Sequence, residues 1–295
     1  MVIVGCSSTS SVPEDDKLFT GLRKTGYENY EPCDHFYSTQ EEVEAALATT
    51  PNGALFGSPY YRIPSYRLWI YNAFEHSRGG IGKWMRTTFG KAPVLLSSVN
   101  PQLHAQVVRE LLRARGYFGG YVNYDVLTSD SSRTAKVKYN VNFGDLYTVD
   151  TLTYHNFPEE ANELIEKKAS ESLVKAGDPF DVSVLEAERT RISTLLRNNG
   201  FFYYQPSYAT YLADTIAEPG VVQVRLHYAD SLPAAVGRKW YVGRINLEMR
   251  KQSVLEQLKD TIRRRNYTIV FNGKREPMRR SVITRDMKIK PRKLY

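Results

Sequence analysis

The sequence predicts an α+β chain made of a tandem unit of about 85 residues, ordered strand, helix, helix, strand, strand, with two complete copies and one truncated. Repetition carries this reading. The segment Leu111-Leu112-Arg113-Ala114-Arg115-Gly116-Tyr117-Phe118 returns 84 positions later as Leu195-Leu196-Arg197-Asn198-Asn199-Gly200-Phe201-Phe202. Upstream, Ala92-Pro93-Val94 answers Asp178-Pro179-Phe180 at an offset of 86, and downstream the alternating run around Val137 answers the one around Val222 at 85.

In the first copy a strand is expected over 18–24. An insertion follows, with a helix over 39–48 and an aromatic-rich stretch over 51–89 that is punctuated by Pro51-Asn52-Gly53 and Gly57-Ser58-Pro59. It has no periodic core of its own and reads as an elaborated first helix region. Asn100 then caps a helix with Pro101 at its first position, Leu103, Val107 and Leu111 along its inner face and Gly116 as its stop. Val122, Tyr124 and Val126 alternate with polar residues, as do Val137, Tyr139 and Val141. These are two strands with one buried face each, joined by a polar turn over 128–133.

The second copy reads as a strand over 147–154, a helix from Pro158 to about 173 and a helix capped by Asp181 with Leu185, Ile192, Leu195 and Leu196 inward. Gly200 stops it, and strands follow over 202–212 and 221–228. In the third copy, Trp240-Tyr241-Val242-Gly243-Arg244-Ile245 is the next first strand, Pro277 opens a helix-like segment, and 290–295 stands where 176–180 stood. That copy should lack its last helix and two strands, as in an N-terminal piece of a longer protein. The expected boundaries are 1–14 for a tether, 15–144 for the first repeat with its insertion at about 27–90, 145–236 for the second and 237–295 for the third.

Lys and Arg number 40 against 32 Asp and Glu, net +8. From Arg238 onward the chain holds 18 basic and 5 acidic residues, and before it 22 and 27, so the excess belongs to the last 58 residues. A uniformly basic domain is excluded. At the other end, Ile3-Val4-Gly5-Cys6 followed by a Ser/Thr-rich tether resembles the end of a lipoprotein signal, with Cys6 as the lipidated residue. Cys33 is the other of the two cysteines, so the fold is expected to rest on its cores and not on disulfides.

The unit order, the Leu-Leu-Arg-x-x-Gly helix end and the Gly-Asp-Pro-Phe element at Gly177-Asp178-Pro179-Phe180 together resemble POTRA domains, the periplasmic repeats of the BamA/TamA outer-membrane assembly family. The lipobox-like start, with Pro51-Asn52-Gly53 and Lys91-Ala92-Pro93-Val94-Leu95-Leu96, looks like its lipoprotein branch, TamL. The resemblance implies a non-enzymatic protein without cofactors, at the periplasmic face of the outer membrane. It also implies unfolded outer-membrane proteins as clients, a periplasmic or inner-membrane partner, and a C-terminal β-barrel that this sequence does not include.

Clients would add a strand to an exposed sheet edge, here the first strand after the second helix of each copy. This points to Tyr121, Asn123 and Asp125 in the first copy, and to Tyr203, Gln205 and Tyr208 in the second. A basic membrane-proximal surface is expected at Arg263, Arg264, Arg265, Arg279 and Arg280.

Other chemistry finds little footing. Ser77-Arg78-Gly79-Gly80-Ile81-Gly82-Lys83-Trp84 superficially resembles a phosphate-binding loop but lacks the leading Gly, has Trp84 where Ser or Thr should stand, and reads as a basic loop. The five histidines are scattered, and Cys33-Asp34-His35 has no second ligand pair, which argues against a metal site. Tyr60, Tyr61, Tyr66, Trp69 and Tyr71 suit a sugar cleft or a core, and core packing is the better reading without paired carboxylates. The rival class is a nucleic-acid module with KH-like repeats, for which Gly116-Tyr117-Phe118-Gly119 would be the Gly-x-x-Gly loop, although it lies between helix and strand. The acidic body argues against nucleic acid as a partner.

Overall fold

The computed structural model describes residues 8–77, 79–129, 131–216, 218–250, 257–263, 265–273, 282, 285 and 287–295. The chain divides into two compact units, one of Met1–Val149, Gly177–Val182 and Glu218–Val222, the other of Asp150–Ala176, Ser183–Ala217 and Gln223–Tyr295.

In the first unit, strand β4 (Thr134–Asn142) is the centre of a sheet, and its side chains alternate between core and surface over most of its length. It pairs in parallel with β1 (Leu18–Leu22) and β2 (Gly26–Glu28), and antiparallel with β3 (Tyr121–Ser129) from Tyr121↔Asn142 to Ser129↔Thr134. The single strand expected over 18–24 is broken. Gly21 sits at φ +114°, where a Cβ would lie 2.7 Å from the Pro59 carbonyl, and the Leu22 amide turns out of the sheet to donate to that oxygen at 2.8 Å. A bulge requiring glycine therefore wires the insertion to the sheet.

Helix α1 (Asp34–Leu47) begins five residues before its expected start because Cys33 caps it, its sulfur accepting from the Phe36 amide at 3.4 Å. Its buried stripe is Phe36, Thr39, Val43 and Leu47. The short helices α2 (Tyr66–Ala73), α3 (Gly80–Phe89) and α4 (Leu96–Val99) follow, then α5 (Pro101–Ala114). The Asn100 side chain accepts from the Leu103 amide, so the expected cap forms. The inner face is different from the expected one. Ala105, Val108 and Leu112 are buried, whereas Leu103 and Val107 are 53% and 48% exposed and Leu111 is partly covered. The small Ala105 and the His104 ring, 2.7 Å from the Ala46 carbonyl, let the helix close on α1 with its stripe turned by one residue. Phe143 centres the core, with Phe36 and Tyr117 edge-on to it at 4.8 and 4.9 Å.

The second sheet has the order β5-β7-β6, from β5 (Thr148–His155), β6 (Ala209–Asp214) and β7 (Val221–Tyr228), with β6 and β7 antiparallel. Helices α6 (Glu159–Lys167) and α7 (Val182–Asn198) contribute Ile165, Ile192 and Leu196 to its core beside Phe201, Tyr204 and Leu226. The helix expected to reach about 173 ends at Lys167, and the strand expected from 202 starts only at Ala209. Phe201 and Tyr204 turn into the core, and Pro206 opens a 3-10 turn, Pro206–Tyr208, that delays the strand.

The last sheet holds two strands, between the expected first strand and residues 290–295 of the third copy, that the repeat pattern did not predict. Strands β8 (Ile245–Glu248), β9 (Asp260–Arg263) and β10 (Tyr267–Phe271) take the order β8-β10-β9, with β10 parallel to β8 and antiparallel to β9. This is the order of the second sheet, and of the first when β1 and β2, both paired in parallel with β4, are counted as one broken strand. The run Tyr267-Thr268-Ile269-Val270-Phe271 has the branched and aromatic composition of a strand, and its last two odd positions are buried. Pro277 lies outside the described residues.

One backbone latch occurs three times. Phe19 donates to Val94 and Leu96 to Lys17; Val149 donates to Asp178 and Phe180 to Tyr147; Val242 donates to Lys293 and Tyr295 to Trp240, all at 2.8–2.9 Å. The bridges Leu18↔Leu95, Thr148↔Pro179 and Tyr241↔Leu294 sit at their centres. Leu95, not Pro93, is therefore the counterpart of Pro179, at the same offset of 84 that relates Gly116 to Gly200.

Candidate functional site

Strand β3 pairs only with β4 among the described strands, so its other edge is open over nine residues. Its side chains divide between two environments. Tyr121, Asn123, Asp125 and Leu127 share the solvent face with Lys136, Lys138 and Asn140 of β4. Val122, Tyr124 and Val126 lie on the core face, yet only Val122 is buried; Tyr124 and Val126 are each 37% exposed. The helices cover the first part of the strand and leave the rest uncovered.

A groove of about 650 Å³ results, floored by Tyr124, Val126, Leu96 and Pro101, with Asp15 and Asp16 among the other residues lining it. Burial alone would raise the Asp16 carboxyl, but hydrogen bonds from the Ser97 hydroxyl and from the Lys17 and Ser97 amides outweigh it and hold the group below its ordinary value. The groove is therefore apolar inside and anionic at one margin. Period-2 alternation assigned Tyr124 and Val126 to the core because it cannot register how far a helix reaches along a strand.

Of the expected edge residues, Tyr121, Asn123 and Asp125 stand on β3, facing away from this groove. Tyr203, Gln205 and Tyr208 are not on a strand: Tyr203 lies in a turn against Trp240, its ring centroid 5.1 Å away, Gln205 precedes the 3-10 turn, and Tyr208 ends it. The edge that β6 does offer is short and partly occupied, since Arg189 of α7 donates to the Ala209 carbonyl at 3.3 Å. Arg263 and Arg265 are exposed at the turn between β9 and β10. Arg264, Arg279, Arg280 and Cys6 lie outside the described residues.

The remaining motifs are placed as follows. Gly80–Phe89 is helical and not a loop. In Gly116-Tyr117-Phe118-Gly119, Tyr117 is a core residue and Phe118 packs on Tyr147 and Phe180, so this turn closes a core and does not present a backbone clamp. Tyr61, Tyr66 and Trp69, expected in a core, are exposed.

The chain matches no protein-family profile and no curated protein sequence. It is similar in structure to POTRA3–5 of BamA from Haemophilus influenzae, at 14% identity and a TM-score of 0.39, over 83% of this chain and 76% of that one. It is also similar to POTRA1–3 of the periplasmic domain of Omp85 from Anabaena, at 11% identity and a TM-score of 0.33, over 96% and 80%. A third similar structure is the N-terminal domain of Omp85 from Thermosynechococcus elongatus, at 12% identity and a TM-score of 0.27, over 93% and 79%.

Proposed function

We propose that the chain is a POTRA-like array of an outer-membrane protein assembly or translocation factor, lipid-anchored through Cys6 at the periplasmic face, and that its β3 edge receives an extended client strand. The observation that carries this reading is a nine-residue open edge beside an apolar groove. Unpaired N–H and C=O groups bind any extended backbone, giving affinity without sequence preference. Tyr124 and Val126, two residues apart on one face, add a preference for clients with apolar side chains at every second position, the pattern of β-barrel strands. The repeated strand order and the threefold latch support a tandem array. The basic segment from 238 onward, with Arg263, Arg264, Arg265, Arg279 and Arg280, would face lipid phosphates or acidic barrel turns, and a periplasmic or inner-membrane protein would be the docking partner.

The test is an NMR titration of the full chain with a synthetic peptide of alternating apolar and polar residues. Shifts of the β3 amides are expected, with affinity falling about tenfold in Tyr124→Ser/Val126→Ser, since two half-exposed apolar contacts are lost. Binding that leaves β3 amides unmoved, or that the double variant does not weaken, overturns the reading.

A further inference from the structure

We infer that the hairpin of α2 and α3 is a docking element for the surface of an anionic lipid bilayer. Helix α2 carries aromatic side chains on its solvent face. It turns Leu68 and Asn72 into the body and presents Tyr66 and Trp69 outward, 71% and 57% exposed. Helix α3 buries no residue at all. Ile81, Trp84 and Phe89, at 79%, 55% and 44% exposure, occupy one arc of it, with Met85 between them. Phe56, in the preceding turn, is fully exposed.

These side chains stand on a braced scaffold. Arg86 donates to the Glu75 carbonyl at 2.9 Å and lies over the Tyr71 ring, and the Lys91 amide donates to the Arg67 carbonyl at 3.0 Å. Gly90 lets α3 end against α2, since a Cβ there would lie 3.2 Å from the Tyr71 Cα of α2 and 2.4 Å from the Arg86 carbonyl of α3. The neck of the insertion is closed by buried Asn52, whose amide donates to the Ala92 carbonyl and accepts from the Val94 amide.

Charge selects the occupant. Residues 51–91 hold six basic side chains and one acidic, within an N-terminal part of the chain that is otherwise acidic. Tryptophan and tyrosine beside lysine and arginine are the side chains that settle at a headgroup boundary, where the rings meet acyl chains and the cations meet phosphates. Among the described residues no helix is long and apolar enough to cross a membrane, so the element would lie on the surface. Ser8 lines the same small cavity as Ile63 and Trp69, and Ser11 bonds to Asn72, so the chain leading from Cys6 reaches the body at this hairpin.

The test uses the full chain carrying Cys6→Ser, so that no acyl group contributes, and Trp240→Phe, which leaves Trp69 and Trp84 as the only tryptophans. Vesicles of phosphatidylcholine alone are compared with vesicles also containing phosphatidylglycerol. Emission should shift to the blue and be quenched by brominated acyl chains only with the anionic vesicles, and added salt should weaken the binding. Trp69→Ser/Ile81→Ser/Trp84→Ser should weaken co-sedimentation at least about tenfold with an unchanged circular dichroism spectrum, because the replaced side chains are exposed. Equal binding by this variant would assign membrane affinity to the basic C-terminal segment and overturn the inference. So would a doubled mass by light scattering that the variant abolishes, with no response to vesicles, since the face would then meet a second copy.

Discussion

Glu188 of α7 has no solvent exposure, and every polar direction around it is filled. Arg191 meets both its oxygens at 2.8 Å, the Leu173 amide donates at 3.0 Å and the Tyr154 hydroxyl at 3.0 Å. Burial alone would raise its pKa, but the hydrogen bonds and charge of Arg191, with the other donors, bring it below its ordinary value, and burial together with the same carboxylate pushes the Tyr154 phenol up to about 12. A folded pKa below the unfolded one means stability that is present above about pH 4.5 and lost as pH falls through the folded value. Glu188→Ala should cost about 3 kcal/mol in urea unfolding at pH 7 by stranding Arg191. Glu188→Gln should cost less and flatten the stability curve below pH 4.5; an unflattened curve would sink the assignment. Sequence gave no sign of this site, because Glu186-Ala187-Glu188-Arg189-Thr190-Arg191 reads as a solvated face. Burial there comes from the loop carrying Leu173, a tertiary contact that no local pattern encodes.

Among the elements, what was legible was local. The Asn100 cap, the glycine stops and the alternation of β4 depend on neighbours in sequence and formed as read. The features set by distant packing did not: the turned stripe of α5, the late start of β6, and the uncovered end of β3 that makes the groove. The open edge was thus readable and its apolar partner was not. The two repeated glycines show how equal local roles acquire unequal costs. Both have positive φ, but a Cβ at Gly116 would lie 2.7 Å from the Phe180 carbonyl, whereas at Gly200 the nearest atom is the end of the Leu294 side chain, also at 2.7 Å. Backbone cannot yield as a side chain can. Gly116→Ala should therefore lower stability by roughly 2–3 kcal/mol and Gly200→Ala by about 1 kcal/mol, compared by thermal unfolding. The reverse ranking would contradict the latch geometry.

At the scale of the whole molecule, the three sheets close very different lengths of chain. Residues Leu18 and Thr134 meet across 116 positions, Thr148 and Gly220 across 72, and Ile245 and Tyr267 across 22. The entropy of bringing such ends together differs by about 1.5 kcal/mol between the longest and the shortest. Parallel pairing at long range is also slow. On refolding from denaturant, pulsed hydrogen exchange should find β10 protected first, β7 next and β4 last, and simultaneous protection would rule this order out. The insertion that carries the α2–α3 hairpin accounts for much of the longest closure. Its kinetic consequence is that the first sheet, although synthesised first, is completed last.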